Sequence, residues 1–316
     1  MSMSNGELHV IIGTGPLGSA IMDELISKGK QVRMVNRSGK ANVANGVQVV
    51  QGDATNTESI RQACKGAKVI YHCAKPPYSE WPEKFPPIMD GLIEAAAHTD
   101  AKLVYADNLY MYGPTDHALT ESLDYKATDS KGITRGEMAN KLLAAHKSGK
   151  VQATIGRAPD FYGPQVLESA IGVQVCKNAL LGKPALLLGN IDVPHTFTYI
   201  RDFAKGLVTL GEREEALGEV WHIPSAETLT TRQLVTLIFA EAKHEPKFRV
   251  ASKGLLSLIG VFNKNMRELK GTFYQFEKPF VVDHSKYKKA FGEDITPHRV
   301  AIKETLEWYR KTFQIR

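Results

Sequence analysis

Residues 13–18 read Gly13-Thr14-Gly15-Pro16-Leu17-Gly18, three glycines at the spacing G-x-G-x-x-G. An apolar run, Val10-Ile11-Ile12, leads into them, and helix-forming residues follow over 19–27. The chemistry this spacing allows is close approach of backbone to phosphate. Gly13 permits a tight turn off a strand, Gly15 lets the chain approach a pyrophosphate, and Gly18 lets a helix pack against the sheet. The helix N-terminus then offers free N–H groups and the positive end of its dipole. Isolated, the pattern is weak; its position between a strand and a helix is what supports a dinucleotide site. Pro16 and Leu17 are expected to touch the same ligand.

After the second apolar run the chain reads Val35-Asn36-Arg37-Ser38. An NAD-selective site usually has Asp or Glu here, to hold the ribose 2′-hydroxyl. A neutral Asn36 followed by Arg37 suits a 2′-phosphate, which arginine binds by charge-assisted hydrogen bonds. Ser38 and Lys40 can assist. The expected cofactor is NADP(H), with NAD(H) possible. The plainer alternative makes Arg37 a surface residue after a strand.

These residues need a scaffold. Strands are expected at 8–12, 31–35, 47–50, 69–73, 103–106 and 152–155, with helices at 18–27, 57–64, 86–97 and 135–147. Such alternation implies a parallel sheet, because parallel strands need crossovers. The fold expected is α/β: a Rossmann-type, doubly wound parallel sheet with a smaller C-terminal substrate or lid domain. Residues 1–165 would form the dinucleotide-binding domain. Residues 166–316 would form the smaller one, with part of 190–225 returning to the sheet. Helices are expected near 171–181 and 231–242, and a lid-like region over 247–276. Ligands on such sheets bind beyond the strand C-termini.

The totals narrow the class. The chain has 316 residues, 43% hydrophobic and 23% charged, enough for one large domain and a smaller one. Its net charge of +6 is spread among carboxylates, so a solvated surface is expected and no nucleic-acid partner. Cys64, Cys73 and Cys176 lie far apart, which argues against zinc and disulfides and suits a reducing cytoplasm. No carboxylate or histidine cluster has metal-ligand spacing. No secretory leader is evident, and no apolar run reaches the ~18–20 residues of a membrane span. A cytoplasmic location is therefore expected.

Further motifs carry a resemblance. Gly52-Asp53-Ala54-Thr55-Asn56 follows the third strand, and Tyr71-His72-Cys73-Ala74 ends the fourth. The fifth strand runs Val104-Tyr105-Ala106-Asp107-Asn108-Leu109-Tyr110-Met111-Tyr112-Gly113. Downstream lie Arg157-Ala158-Pro159-Asp160-Phe161-Tyr162-Gly163-Pro164 and Phe197-Thr198-Tyr199-Ile200-Arg201-Asp202. With the glycine loop, these resemble the extended and atypical short-chain dehydrogenase/reductases, the epimerase/dehydratase-like superfamily. Met111 stands where the family's V-Y-G segment has valine. The resemblance implies that Asp53, with Ala54 beside it, lies at the adenine. It implies that Ala74, with Lys75, runs beside the nicotinamide ribose. A homodimer is possible by the same analogy.

The departures from that family matter more. Its members use Ser or Thr four residues before the V-Y-G tyrosine, and Y-x-x-x-K. The tyrosine moves the proton, and the lysine lowers its pKa and holds the ribose. Here Asn108 fills the Ser/Thr slot, and Lys131 and Arg135 fill the Y-x-x-x-K slots; Tyr125 is followed at that spacing by Asp129. Asn108 can bind a carbonyl but cannot usefully exchange a proton. Arg135 can hold the ribose without acid chemistry. Lys131 is either a general acid with a depressed pKa or a solvated surface lysine. Tyr110 is the alternative donor.

On the substrate side, Pro76 and Pro77 stiffen the loop after the fourth strand, and Tyr78 and Trp81 offer flat apolar faces. Trp81 either meets substrate or packs the loop onto the next helix. Phe161 and His195 are candidates from the second half; a lone histidine near aromatics is more often a structural residue. Three functions remain. The first is an NAD(P)-dependent oxidoreductase reducing a small apolar or aromatic carbonyl or activated alkene. The second is an NADP(H)-binding regulator or sensor without catalysis. The third, disfavoured by the missing tyrosine, is a nucleotide-sugar epimerase.

Overall fold

The computed structural model describes residues 6–251 and 271–315. In chain order the strands are β1 Leu8–Ile12, β2 Gln31–Asn36, β3 Gln48–Gln51, β4 Ala67–His72, β5 Lys102–Asp107, β6 Gln152–Arg157, β7 Asp160–Tyr162, β8 Ala185–Leu188, β9 Pro194–His195, β10 Phe197–Tyr199, β11 Val220–His222, β12 Leu229–Thr230 and β13 Phe248–Ala251. The helices are α1 Pro16–Ser27, α2 Thr57–Ala63, α3 Trp81–Thr99, α4 Ser130–Lys147, α5 Val173–Leu180, α6 Ile200–Glu212, α7 Thr231–Glu241, α8 Ser285–Phe291 and α9 His298–Phe313.

The chain divides into two compact units. The first comprises the chain up to Met111, Ser130–Arg157 and Ala204–Trp221; the second comprises Tyr112–Asp129, Ala158–Phe203 and the chain from His222 onward. The stretch Ala204–Trp221 thus belongs to the first unit, and residues 112–129 and 158–165 belong to the second.

The first unit is built on a seven-stranded sheet in the order β11-β6-β5-β4-β1-β2-β3. β3, β2, β1, β4, β5 and β6 pair in parallel. The order reverses between β1 and β4, which is where a doubly wound sheet opens a crevice at its strand C-termini. β1, β4 and β5 are central, and their side chains are buried almost throughout, as expected of strands covered on both faces. The fold is Rossmann-type α/β.

Three helices start earlier than expected, and each difference moves site residues onto the helix. α3 begins at Trp81 rather than near Pro86, because Pro82 sits in the first turn, where the missing N–H has no acceptor to lose. α4 begins at Ser130 rather than at Arg135, which puts Lys131 on the helix. α1 similarly begins at Pro16, two residues before the expected start.

In the second unit α5, α7 and α9 share a core that includes Val175, Ala179, Leu234, Ile238, Ile302 and Leu306. A capping box fixes the start of α7: the Thr230 side chain accepts from Gln233 N, and the Gln233 side chain accepts from Thr230 N. Of the expected lid-like region, 252–270 lies outside the described residues. Its flanks form β13, paired with β8, and a short turn at Phe273–Phe276.

Candidate functional site

The glycine loop is tied into the sheet on both sides. Gly13 N donates to Val35 O at 2.9 Å, and Cys73 N donates to Ile12 O at 2.9 Å. Gly13 has φ +115°, and a Cβ there would stand 3.0 Å from the Ala74 nitrogen. A Cβ on Gly18 would stand 2.1 Å from the Gly13 oxygen. Both positions exclude side chains for reasons internal to the fold. At Gly15 a Cβ would meet nothing within 4 Å. Gly15 is also the N-cap of the twelve-residue α1 and brings no side chain to cap it. An open backbone position over uncapped N–H groups fits a pyrophosphate. Pro16 is exposed and Leu17 half-buried at the same end.

At the end of β2, Arg37, Ser38 and Lys40 are exposed. Asn36 is half-buried, and its side chain bonds to Thr14, Ser38 and Lys40. Asp53, after β3, is exposed. Its Oδ1 accepts from Thr55 N at 2.9 Å and from the Thr55 hydroxyl at 2.8 Å. Those two donors, backbone first, hold its carboxyl below the usual range, and Arg37 adds to the effect. Ala54 is half-buried beside it.

The ends of β4 and β5 and the start of α4 gather a second cluster. Lys131 is 3% exposed, so it is no solvated surface lysine. Its Nζ lies 4.4 Å from the centre of the Tyr78 ring. Tyr78 meets Trp81 edge-on at 4.8 Å, and Tyr110 stacks on Trp81 at 6.1 Å. Trp81 is buried and donates through Nε1 to Pro76 O. It packs the loop onto α3 rather than presenting a face to substrate; Tyr78, half-buried, is the more open ring. Asn108 Oδ1 accepts from Tyr110 N at 3.1 Å, which orients the turn carrying Tyr110. Ala74 is half-buried and Lys75 exposed where the chain leaves β4.

Arg135, expected at the ribose, is buried and makes contacts within the protein. Its Nη1 donates to Asp107 Oδ1 at 3.2 Å and to the Tyr105 hydroxyl at 2.6 Å. Its guanidinium lies over Phe85 at 4.2 Å and Trp81 at 4.5 Å. Asp107 Oδ2 in turn accepts from Arg157 Nε at 3.0 Å. One buried carboxylate thus bonds two buried guanidinium groups, and Arg135 is turned inward onto it. Beneath them His72 stacks on Tyr105 at 5.1 Å. Burial, reinforced by Arg135, holds the His72 pKa down to about 3.

In the second unit, Phe161 stacks on Phe203 at 5.1 Å. His195 is buried; its Nε2 contacts Asp160 Oδ2 at 2.8 Å and its Nδ1 contacts Gln275 O at 3.2 Å. Phe197, Phe276 and Phe280 surround the ring. Both ring nitrogens of His195 are thus engaged within the protein. Tyr112 donates to His222 Nε2 at 2.9 Å, with His222 Nδ1 held by Asp283 O at 3.0 Å.

Sequence reasoning missed Thr14, Tyr105, Asp107 and Arg157. Tyr105 and Asp107 share one face of β5 by the strand period, and Asp107 sits opposite Arg157 in register. Strand pairing was the signal that could have found Tyr105, Asp107 and Arg157. Burial pushes the Cys64 and Cys176 thiols up to about 12, which leaves neither as a thiolate. Among the described residues, no group of three metal-ligating side chains comes together, and no helix is long and apolar enough to cross a membrane.

Comparison with known proteins agrees with this geometry. The sequence profile of the NAD dependent epimerase/dehydratase family matches residues 10–223. An uncharacterized UDP-glucose epimerase of Bacillus subtilis is 27% identical over 195 residues, spanning 58% of this chain and 61% of that protein. The decarboxylating sterol-4-alpha-carboxylate 3-dehydrogenase of Bos taurus is 25% identical over 258 residues, 76% of this chain and 71% of that one. The crystal structure of UDP-glucuronic acid 4-epimerase from Bacillus cereus, in complex with NAD, superposes with a TM-score of 0.80 at 18% identity, covering 97% of this chain and 99% of that one. With a profile match over most of its length, and the glycine loop and sheet order to support it, the chain belongs to the NAD dependent epimerase/dehydratase family.

Proposed function

We propose that this protein is an NADP(H)-dependent oxidoreductase that reduces an apolar or aromatic carbonyl or activated alkene. The observation that carries the reading is the buried ammonium of Lys131 against the Tyr78 ring. A proton-bearing group there would stand in for the family's usual tyrosine, which is absent. When bound, a reduced nicotinamide supplies hydride. Lys131 holds the proton that the substrate oxygen, or the alkene carbon, must receive. Asp107 fixes Arg135 as a permanent positive charge beneath the cluster. Tyr78 and Tyr110 offer aromatic surface to an apolar substrate. Gly13, Gly15 and Gly18 would admit the pyrophosphate, Asp53 and Ala54 would lie at the adenine, and Ala74 and Lys75 beside the nicotinamide ribose. Arg37, Ser38 and Lys40 would take the 2′-phosphate. The sterol dehydrogenase among the relatives supports an apolar substrate.

A cofactor-binding regulator without catalysis is the second reading. The Arg135–Asp107 bond favours it, since an arginine held on a carboxylate donates no proton. NADPH consumption against a panel of aldehydes, ketones, enones and nucleotide sugars separates the readings. Turnover of apolar carbonyls or enones supports the reductase. Tight NADPH binding with no turnover supports the regulator, and conversion of a nucleotide sugar supports an epimerase.

A further inference from the structure

We infer that Asn36 is a positioning residue that clamps the glycine loop to the loop carrying Arg37, Ser38 and Lys40, and is not itself a ligand of the cofactor. The inference rests on the dinucleotide reading of this site and deepens it. Residue 36 ends β2, where the family usually places a side chain on the ribose. In this chain the carboxamide faces the protein. Its Nδ2 donates to Thr14 Oγ1 at 3.0 Å and to Lys40 O at 2.9 Å. An amide nitrogen has two hydrogens, and both are taken. A backbone carbonyl only accepts, so Lys40 O fixes which way the amide points. Oδ1 accepts from the Ser38 hydroxyl at 3.1 Å. The backbone is tied as well: Gly52 N donates to Asn36 O at 2.9 Å.

One side chain thus joins two segments with different work. Thr14 lies between Gly13 and Gly15, where the pyrophosphate would approach. Lys40 and Ser38 close the turn that presents Arg37 to the adenosine ribose. The Asn36 clamp couples these two grips. It also explains why an asparagine serves here and an aspartate would not: a carboxylate would face the Lys40 carbonyl with no hydrogen to offer.

The test measures dissociation constants for NADPH and NADH by titration, with backbone hydrogen exchange over 36–40 in the ligand-free protein. Thr14→Val removes the acceptor at the far end of the clamp, and Thr14→Ser restores it. The clamp predicts that Thr14→Val weakens NADPH by about five- to tenfold, the worth of one or two hydrogen bonds. It should also speed exchange over 36–40, although Thr14 is 22 positions from Asn36. Thr14→Ser should return both to wild type. Asn36→Ala combined with Thr14→Val should be no worse than the more damaging single change. Asn36→Asp should weaken both cofactors. Additive losses, unchanged exchange, or an Asn36→Asp variant that binds NADH more tightly would overturn the clamp. A wild-type protein that binds neither cofactor would overturn the dinucleotide reading instead, and exchange in the ligand-free protein would still decide the clamp.

Discussion

Lys131 and Tyr78 meet face-on, with the ammonium 4.4 Å from the ring centre, although one lies in the first turn of α4 and the other in the loop after β4. This contact brings a cation and an aromatic surface together where the family's tyrosine is missing. Lys131→Ala is expected to cut turnover by ~10²–10⁴-fold, the range for a lost general acid, with NADPH affinity unchanged. Lys131→Arg should also fail, because arginine keeps the charge without giving up a proton. Tyr78→Phe keeps the ring and should keep most of the activity. Steady-state kinetics alongside cofactor titration checks all three. Full turnover in Lys131→Ala would shift the donor role to Tyr110.

Gly15 and Gly18 should respond differently to substitution. Gly15→Val puts its side chain into open space, so the protein should fold with an unchanged melting temperature and lose binding of either cofactor. Gly18→Ala drives a Cβ to 2.1 Å from the Gly13 oxygen, so it should lower the melting temperature itself. Thermal unfolding run beside a cofactor titration distinguishes the two. A Gly15→Val protein that binds normally would place the dinucleotide elsewhere.

Asp107 pairs with both Arg135 and Arg157 in the buried layer below the cluster. Removing one partner of a buried ion pair typically costs about 3–5 kcal/mol, because the other charge is left uncompensated. Asp107→Asn should lose stability on that scale in urea unfolding. A loss under about 1 kcal/mol would mean that solvent already screens the pair.

Acid should destabilise the fold through its buried histidines. Burial holds His72 to about 3 and His9 to about 4, against 6.5 when unfolded. Both are therefore neutral in the folded chain, and the unfolded chain binds protons first as pH falls. Their contribution is present above about pH 6.5 and is lost progressively towards pH 4 and 3, with a slope of up to about 1.4 kcal/mol per pH unit for each. Neither His72 nitrogen has a hydrogen-bond partner among the described residues. His72→Phe should therefore flatten the acid limb of a urea-midpoint profile and leave the neutral region unchanged or raised. An unchanged acid limb would contradict the assignment.

The parallel sheet and the glycine loop were legible because their signals are local: an apolar run, a glycine spacing, a helix. The start of α4 was not. Lys131 and Arg135 are charged residues on its buried face, so they erase the apolar periodicity by which a helix is read. α3 hid in the same way behind Pro82, Pro86 and Pro87, which read as a loop although Pro82 falls in the helix's first turn. The inward turn of Arg135 depends on Asp107, 28 positions away. No spacing rule within one helix could report it.

The most direct test of the account is one reduction assay run with both cofactors. Wild-type protein and Arg37→Ala are each supplied with NADPH or NADH and the best apolar carbonyl or enone from the panel. The expected result is turnover, a higher kcat/KM for NADPH than for NADH, and a preference that collapses in Arg37→Ala through weaker NADPH binding, by ~1–3 kcal/mol. Turnover that favours NADH in the wild type, or tight NADPH binding with no reduction of any substrate, would contradict it.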